Sequence, residues 1–177
     1  MIDSCRLLGH QDTLFTGPLP EKERQPGGFI GPKQLAPRIN GRQYYKNCYI
    51  CGDIDFIFGS ATAYFEHCTL ESLLRTKTSA QSDIVSTTST LHDSGSDTSA
   101  LCHSNSDMVQ KNYTLPPIQG YVPAASTPEG QEYGYIFSDC RLNSNNCPAG
   151  SVYIGRPWRG YANTLLISCE HGEQIHT

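Results

Sequence analysis

Four short segments of the chain are written to one pattern: IDSCRL (2–7), YKNCYI (45–50), FEHCTL (65–70) and FSDCRL (137–142). Each has a bulky residue, two further positions of which the second is polar, a cysteine, any residue, and then Ile or Leu. A fifth segment, LISCEH (166–171), keeps the first half of the pattern, and Cys48 and Cys68 lie twenty residues apart. A period near 20 residues built from short strands is the mark of a parallel β-helix, in which equivalent positions stack on successive coils. Cysteine suits an inward-facing position in such a coil, because free Cys is small and among the most buried residue types. The expected fold class is therefore all-β, a parallel β-helix with long loops.

Composition agrees with that class. The 177 residues include 16 Gly, 11 Pro and 10 Tyr, with 17% charged residues, which suits a turn-rich β protein. The net charge of −4 leaves no basic stripe for nucleic acid. No apolar stretch is long enough to span a bilayer, so no membrane partner is expected. The N-terminus MIDSCRLLGHQ carries no signal-peptide pattern. Cys48 and Cys51 form a CxxC, but no second pair stands at ligand spacing. They read as part of a strand rather than as a metal or redox site, and no metal is expected.

Aligning on the first two cysteines sets CRLLGHQDTLF (5–15) against CYICGDIDFIF (48–58). Gly9 then matches Gly52, Asp12 matches Asp55, and Phe15 matches Phe58. On adjacent coils, about 4.8 Å apart, the two aspartates become neighbours. Carboxylates that close do not both ionise easily, so the pair supplies an acid beside a base or nucleophile. The alternative is that both aspartates simply occupy turns. A third segment, SVYIGRPWR (151–159), adds Arg156, able to hold a carboxylate through a bidentate contact, and Trp158, the single tryptophan. Trp158 is either a sugar platform or ordinary packing. Gln11 offers an amide donor to an oxyanion.

In GHQDTLF (9–15), GDIDFIFG (52–59) and YIGRPW (153–158) the chain resembles the pectin methylesterases, bacterial type. The similarity covers residues 1–71 and 118–176, and the loop at 17–41 is similar to an insertion of bacterial members. The resemblance implies a right-handed, pectin-lyase-like β-helix that hydrolyses galacturonate methyl esters of pectin, as a monomer and without a cofactor. It implies that Asp55 is the nucleophile, Asp12 the general acid and then base, Gln11 an oxyanion donor, and Arg156 the group that orients Asp55. Trp158, Phe15 and Phe58 would bind substrate. Phe15 stands where many members have tyrosine. Two rival readings are a β-helix glycoside hydrolase of polygalacturonate, since paired carboxylates also serve retaining glycosidases, and a non-catalytic pectin-binding module.

The chain departs from the family in three places. It begins almost at QDTL, without the earlier coils and an upstream glutamine. It stops at EHGEQIHT, before a further tryptophan. Between Ser79 and Ser106, 13 of 28 residues are Ser or Thr, so residues 73–117 are expected to be disordered, as a true insertion or a frame-shifted stretch. One partial domain over 1–177, with three or four coils, a long Pro/Gly-rich loop at 17–41 and weak or absent activity, is the resulting expectation.

Overall fold

A computed structural model describes residues 1–19, 26–27, 34–75 and 118–176. The described residues form fifteen strands and no helix, arranged in three parallel sheets. The first sheet stacks β1 (Ile2–Asp3), β4 (Arg42–Lys46), β7 (Thr62–Glu66), β10 (Tyr135–Ser138) and β14 (Thr164–Ile167). The second stacks β2 (Arg6–Leu8), β5 (Tyr49–Gly52), β8 (Thr69–Ser72), β11 (Arg141–Asn143) and β15 (Glu170–His171). The third stacks β3 (Leu14–Phe15), β6 (Ile54–Gly59), β9 (Gly120–Ala125) and β12 (Val152–Tyr153), with β13 (Arg156–Pro157) also on β9. The chain visits the sheets in that order and returns, so each circuit is one coil of a right-handed parallel β-helix. Among the described residues there are four circuits and two strands of a fifth, slightly more than the three or four coils expected. LISCEH, which fits only half the repeat pattern, is thus a genuine rung.

The cysteine pattern has a structural cause. Arg6 pairs with Tyr49, Tyr49 with Thr69, Thr69 with Arg141, and Arg141 with Glu170. The preceding residues, Cys5, Cys48, Cys68, Cys140 and Cys169, therefore form one column at the corner between the first two sheets. The residue before each cysteine has a positive φ: Ser4 55°, Asn47 52°, His67 50°, Asp139 52° and Ser168 51°. A left-handed residue turns the strand sharply, and Asn, Asp and His tolerate that region better than most residues. This explains the polar position in the pattern. Cys48, Cys68 and Cys140 then pack inward without a bulky side chain at the bend, whereas Cys169 is half-buried and Cys5 exposed on the outer coils. The cysteine thiol also faces the carbonyl two residues earlier, as in Cys48 Sγ to Lys46 O at 3.2 Å and Cys140 Sγ to Ser138 O at 3.3 Å.

Inward positions of the sheets form columns of like residues. Tyr45, Phe65 and Phe137 stack with centroid separations of 4.7 Å at both steps, matching the strand spacing. Ile50, Leu70 and Leu142 form a second column in register, all buried. The loop expected at 17–41 runs between β3 and β4, and its described residues contain no strand. The Ser/Thr-rich segment leaves after β8 in the third coil; its residues 76–117 lie outside the described residues, so the expectation of disorder concerns residues not described.

Phe65 sits in the middle of the aromatic column with no exposed surface. Phe65→Ala should lower the unfolding free energy by about 3–5 kcal/mol, a large share of a domain's total. The expected result in urea is an earlier midpoint with little change in slope.

Candidate active site

An aspartate inside the apolar run of β6 is explained by a bulge. Ile54 pairs with Tyr121 and Ile57 with Pro123, so β6 has one residue more than β9 across this step. Asp55 occupies the bulge with φ 51°. A bulge re-aims one side chain, and Asp is among the few residues at ease with positive φ. Phe56, the next residue, is buried in the core, while the Asp55 carboxylate turns out to meet Arg156.

Asp12 holds the same position one coil earlier. Leu14 pairs with Ile57 and Phe15 with Phe58, which sets Asp12 beside Asp55 by register, and Asp12 also has φ 59°. Both aspartates are corner residues, and the corner brings them together. A glycine stands three residues before each. A Cβ on Gly52 would lie 2.2 Å from Phe56 Cβ and 2.3 Å from the His10 carbonyl. One on Gly9 would lie 2.5 Å from Thr13 Oγ1. The spacing G-x-x-D thus clears room for the residue that follows each aspartate.

Arg156 arrives from β13, positioned by the pairing of Arg156 with Ala124 and Pro157 with Ala125. Its Nε donates to Asp55 Oδ1 at 2.9 Å and its Nη2 donates to Oδ2. The Asp55 side chain is only 11% exposed, whereas that of Arg156 is 48% exposed. The guanidinium therefore covers a nearly buried carboxylate from the solvent side, in the fork geometry that fixes a carboxylate plane.

Asp12 is exposed and makes no such pair among the described residues. Local desolvation raises its pKa first, the Asp55 charge raises it further, and Arg156 opposes both. The two carboxylates are thus chemically unequal: one is clamped by a cation, the other has a pKa raised above the ordinary aspartate value. Gln11 is exposed beside Asp12, opposite Ile54 in register, and its side chain makes no hydrogen bond to the described residues.

The three aromatic residues expected to bind substrate also meet. Phe15 stacks on Phe58 at 4.8 Å, and Trp158 packs edge-on to Phe58 at 5.8 Å. With Pro18, Pro128 and Tyr161 they line an open groove of about 580 Å³. The groove lies beside the carboxylates rather than around them: Phe58 follows Asp55 by three residues and Trp158 follows Arg156 by two. The structure thus brings Asp12, Asp55 and Arg156 to one place and Phe15, Phe58 and Trp158 to the adjoining groove. Sequence reading overlooked Tyr121, whose ring lies 4.7 Å beneath the Arg156 guanidinium, because GYVPAA carries no motif. Its signal was the register itself, since Tyr121 pairs with the residue before Asp55.

Residues 38–122 match the model of the Pectinesterase family. Over 164 residues, 92% of this chain, the sequence is 28% identical to Pectinesterase 31 of Arabidopsis thaliana and covers 31% of it. Among solved structures it is similar to a pectin methylesterase in complex with a hexasaccharide, with TM-score 0.59, 21% identity, and coverage of 98% of this chain and 39% of the other. It is also similar to the pectin methylesterase of Erwinia chrysanthemi, with TM-score 0.57, 22% identity, and coverage of 98% and 39%. These structural likenesses establish the fold. The chain spans about a third of the length of these relatives.

The raised Asp12 pKa has a consequence for stability. Between 3.8, the value of an unperturbed Asp, and its raised value, the folded chain keeps a proton on Asp12 that the unfolded chain has released. This group therefore lowers stability as pH rises through that window. Asp12→Asn removes the charge. The variant should melt above the wild type at neutral pH, and the difference should vanish in melts recorded below the unperturbed value.

Proposed function

We propose that this chain, a homologue of the pectinesterases, carries an ester-cleaving centre that hydrolyses galacturonate methyl esters of pectin to free acid and methanol. The observation that carries the reading is the fork from Arg156 to Asp55, one coil from an aspartate whose pKa is raised. Asp55 is the nucleophile. Its carboxylate oxygen bonds to the ester carbonyl carbon, and the carbonyl electrons move onto oxygen. Gln11 donates an amide N–H to that oxyanion. Asp12, protonated, gives its proton to the methoxy oxygen as the carbon–oxygen bond breaks, and methanol leaves. The product is an acyl-enzyme anhydride on Asp55. Asp12, now a carboxylate, takes a proton from water as that water attacks the anhydride, which frees the galacturonate and restores both aspartates.

Arg156 keeps Asp55 in the plane of attack and balances its charge. The inequality of the two carboxylates fits the division of labour: the clamped one attacks and the one whose pKa is raised acts as acid. Phe15, Phe58 and Trp158 offer apolar ring faces beside the reacting pair, suited to sugar rings and to methyl esters. The hexasaccharide bound by a structural relative supports a carbohydrate chain as ligand.

Methanol release from methylated pectin, with polymer length followed in parallel, tests the reading. The expected outcome is methanol with no new reducing ends; new reducing ends would mark a glycoside hydrolase instead. Asp55→Ala should reduce turnover to background. Asp12→Ala should lower kcat by roughly 10²–10⁴-fold, the usual contribution of a general acid. Trp158→Ala should act mainly on KM. Retention of most activity by Asp55→Ala would falsify the assignment.

A further inference from the structure

We propose that Tyr121 is a positioning residue: its ring forms the floor on which the Arg156 guanidinium rests, and so fixes the plane in which Arg156 presents its fork to Asp55. The inference rests on the functional reading of Arg156 given above and adds a group in contact with neither carboxylate among the contacts described.

Three observations carry it. The Arg156 guanidinium carbon lies 4.7 Å from the Tyr121 ring centroid, within cation–π range. The arginine side chain is half exposed, so packing alone leaves it free to swing into solvent; the fork and the ring are its two described contacts. Tyr121 is itself immobilised. It stacks on Tyr153 at 5.6 Å with ring planes 12° apart, and Tyr153 stacks on His176 at 4.7 Å. In register Tyr121 pairs with Ile54 and Tyr153 with Tyr121, so this outward column is built by the same coil stacking that aligns the aspartates. A ring anchored in the solenoid thus sets one face of the guanidinium while Asp55 sets its edge. A long flexible side chain held on two sides loses less entropy when it orients the nucleophile.

The tests compare Tyr121→Phe, Tyr121→Leu, Tyr153→Leu and Arg156→Met. Two readouts are used: methanol release, and the titration of the Asp12 carboxyl followed by carbon-13 NMR, which needs no turnover. Arg156→Met should move the Asp12 titration upward, because the guanidinium charge holds it down. Tyr121→Leu keeps an apolar side chain but removes the ring. It should move the titration in the same direction by a smaller amount and lower kcat on the order of tenfold with little change in KM, the scale of a lost cation–π contact. Tyr121→Phe keeps the ring face and should match the wild type in both. Tyr153→Leu loosens the anchor of the Tyr121 ring without touching Arg156 and should shift the Asp12 titration by less than Tyr121→Leu does. Equal shifts in Tyr153→Leu and Tyr121→Leu, or a wild-type titration in Tyr121→Leu while Arg156→Met shifts, overturn the role of Tyr121 alone. An Arg156→Met variant with unchanged titration and turnover overturns the functional reading and this inference with it.

Discussion

Every feature of this molecule depends on parallel coils stacking in register, one strand spacing apart. In such a stack a residue's neighbours are its counterparts on the coils above and below. Like therefore packs on like, and the interior becomes columns: cysteines at one corner, aromatic rings along one sheet, Ile and Leu along another. The stack is held by strand hydrogen bonds and by apolar burial, both additive from coil to coil. A slip by one residue would turn every inward side chain outward, so the columns themselves enforce the register.

The corners show how the backbone meets this demand. At each bend between the first and second sheets a single left-handed residue changes direction and a cysteine follows it, buried in the core at Cys48, Cys68 and Cys140. At the bend into the third sheet the same device recurs with aspartate in the first two coils. There the left-handed residue sends its side chain to the outer wall, where a carboxylate can be solvated, paired or used. The same local conformation thus serves shape at one corner and places chemical groups at the other. The cost of placing an acid near the core is offset by Arg156, which closes over Asp55 from the fourth coil.

The site consequently draws on four successive coils. Asp12 belongs to the first, Asp55 to the second, Tyr121 to the third and Arg156 to the fourth. The four residues span only three strand spacings, yet in sequence they are spread over most of the chain. The groove lined by Phe15, Phe58 and Trp158 is assembled in the same way and therefore runs beside the carboxylates.

Much of this was written into the sequence because the solenoid repeats it. The cysteine pattern shows the coil period, and alignment on it pairs Gly9 with Gly52, Asp12 with Asp55 and Phe15 with Phe58, each consistent with the observed register. What depends on position within a repeat can be read along the chain. What depends on how a side chain crosses between coils cannot. The β6 bulge, the fork from Arg156 to Asp55, the unequal settings of the two aspartates and the ring of Tyr121 under the guanidinium all arise from contacts between residues without a shared motif. Sequence fixes which residues share a column; only the closed coil, with its twist and its bulge, decides which way each one faces.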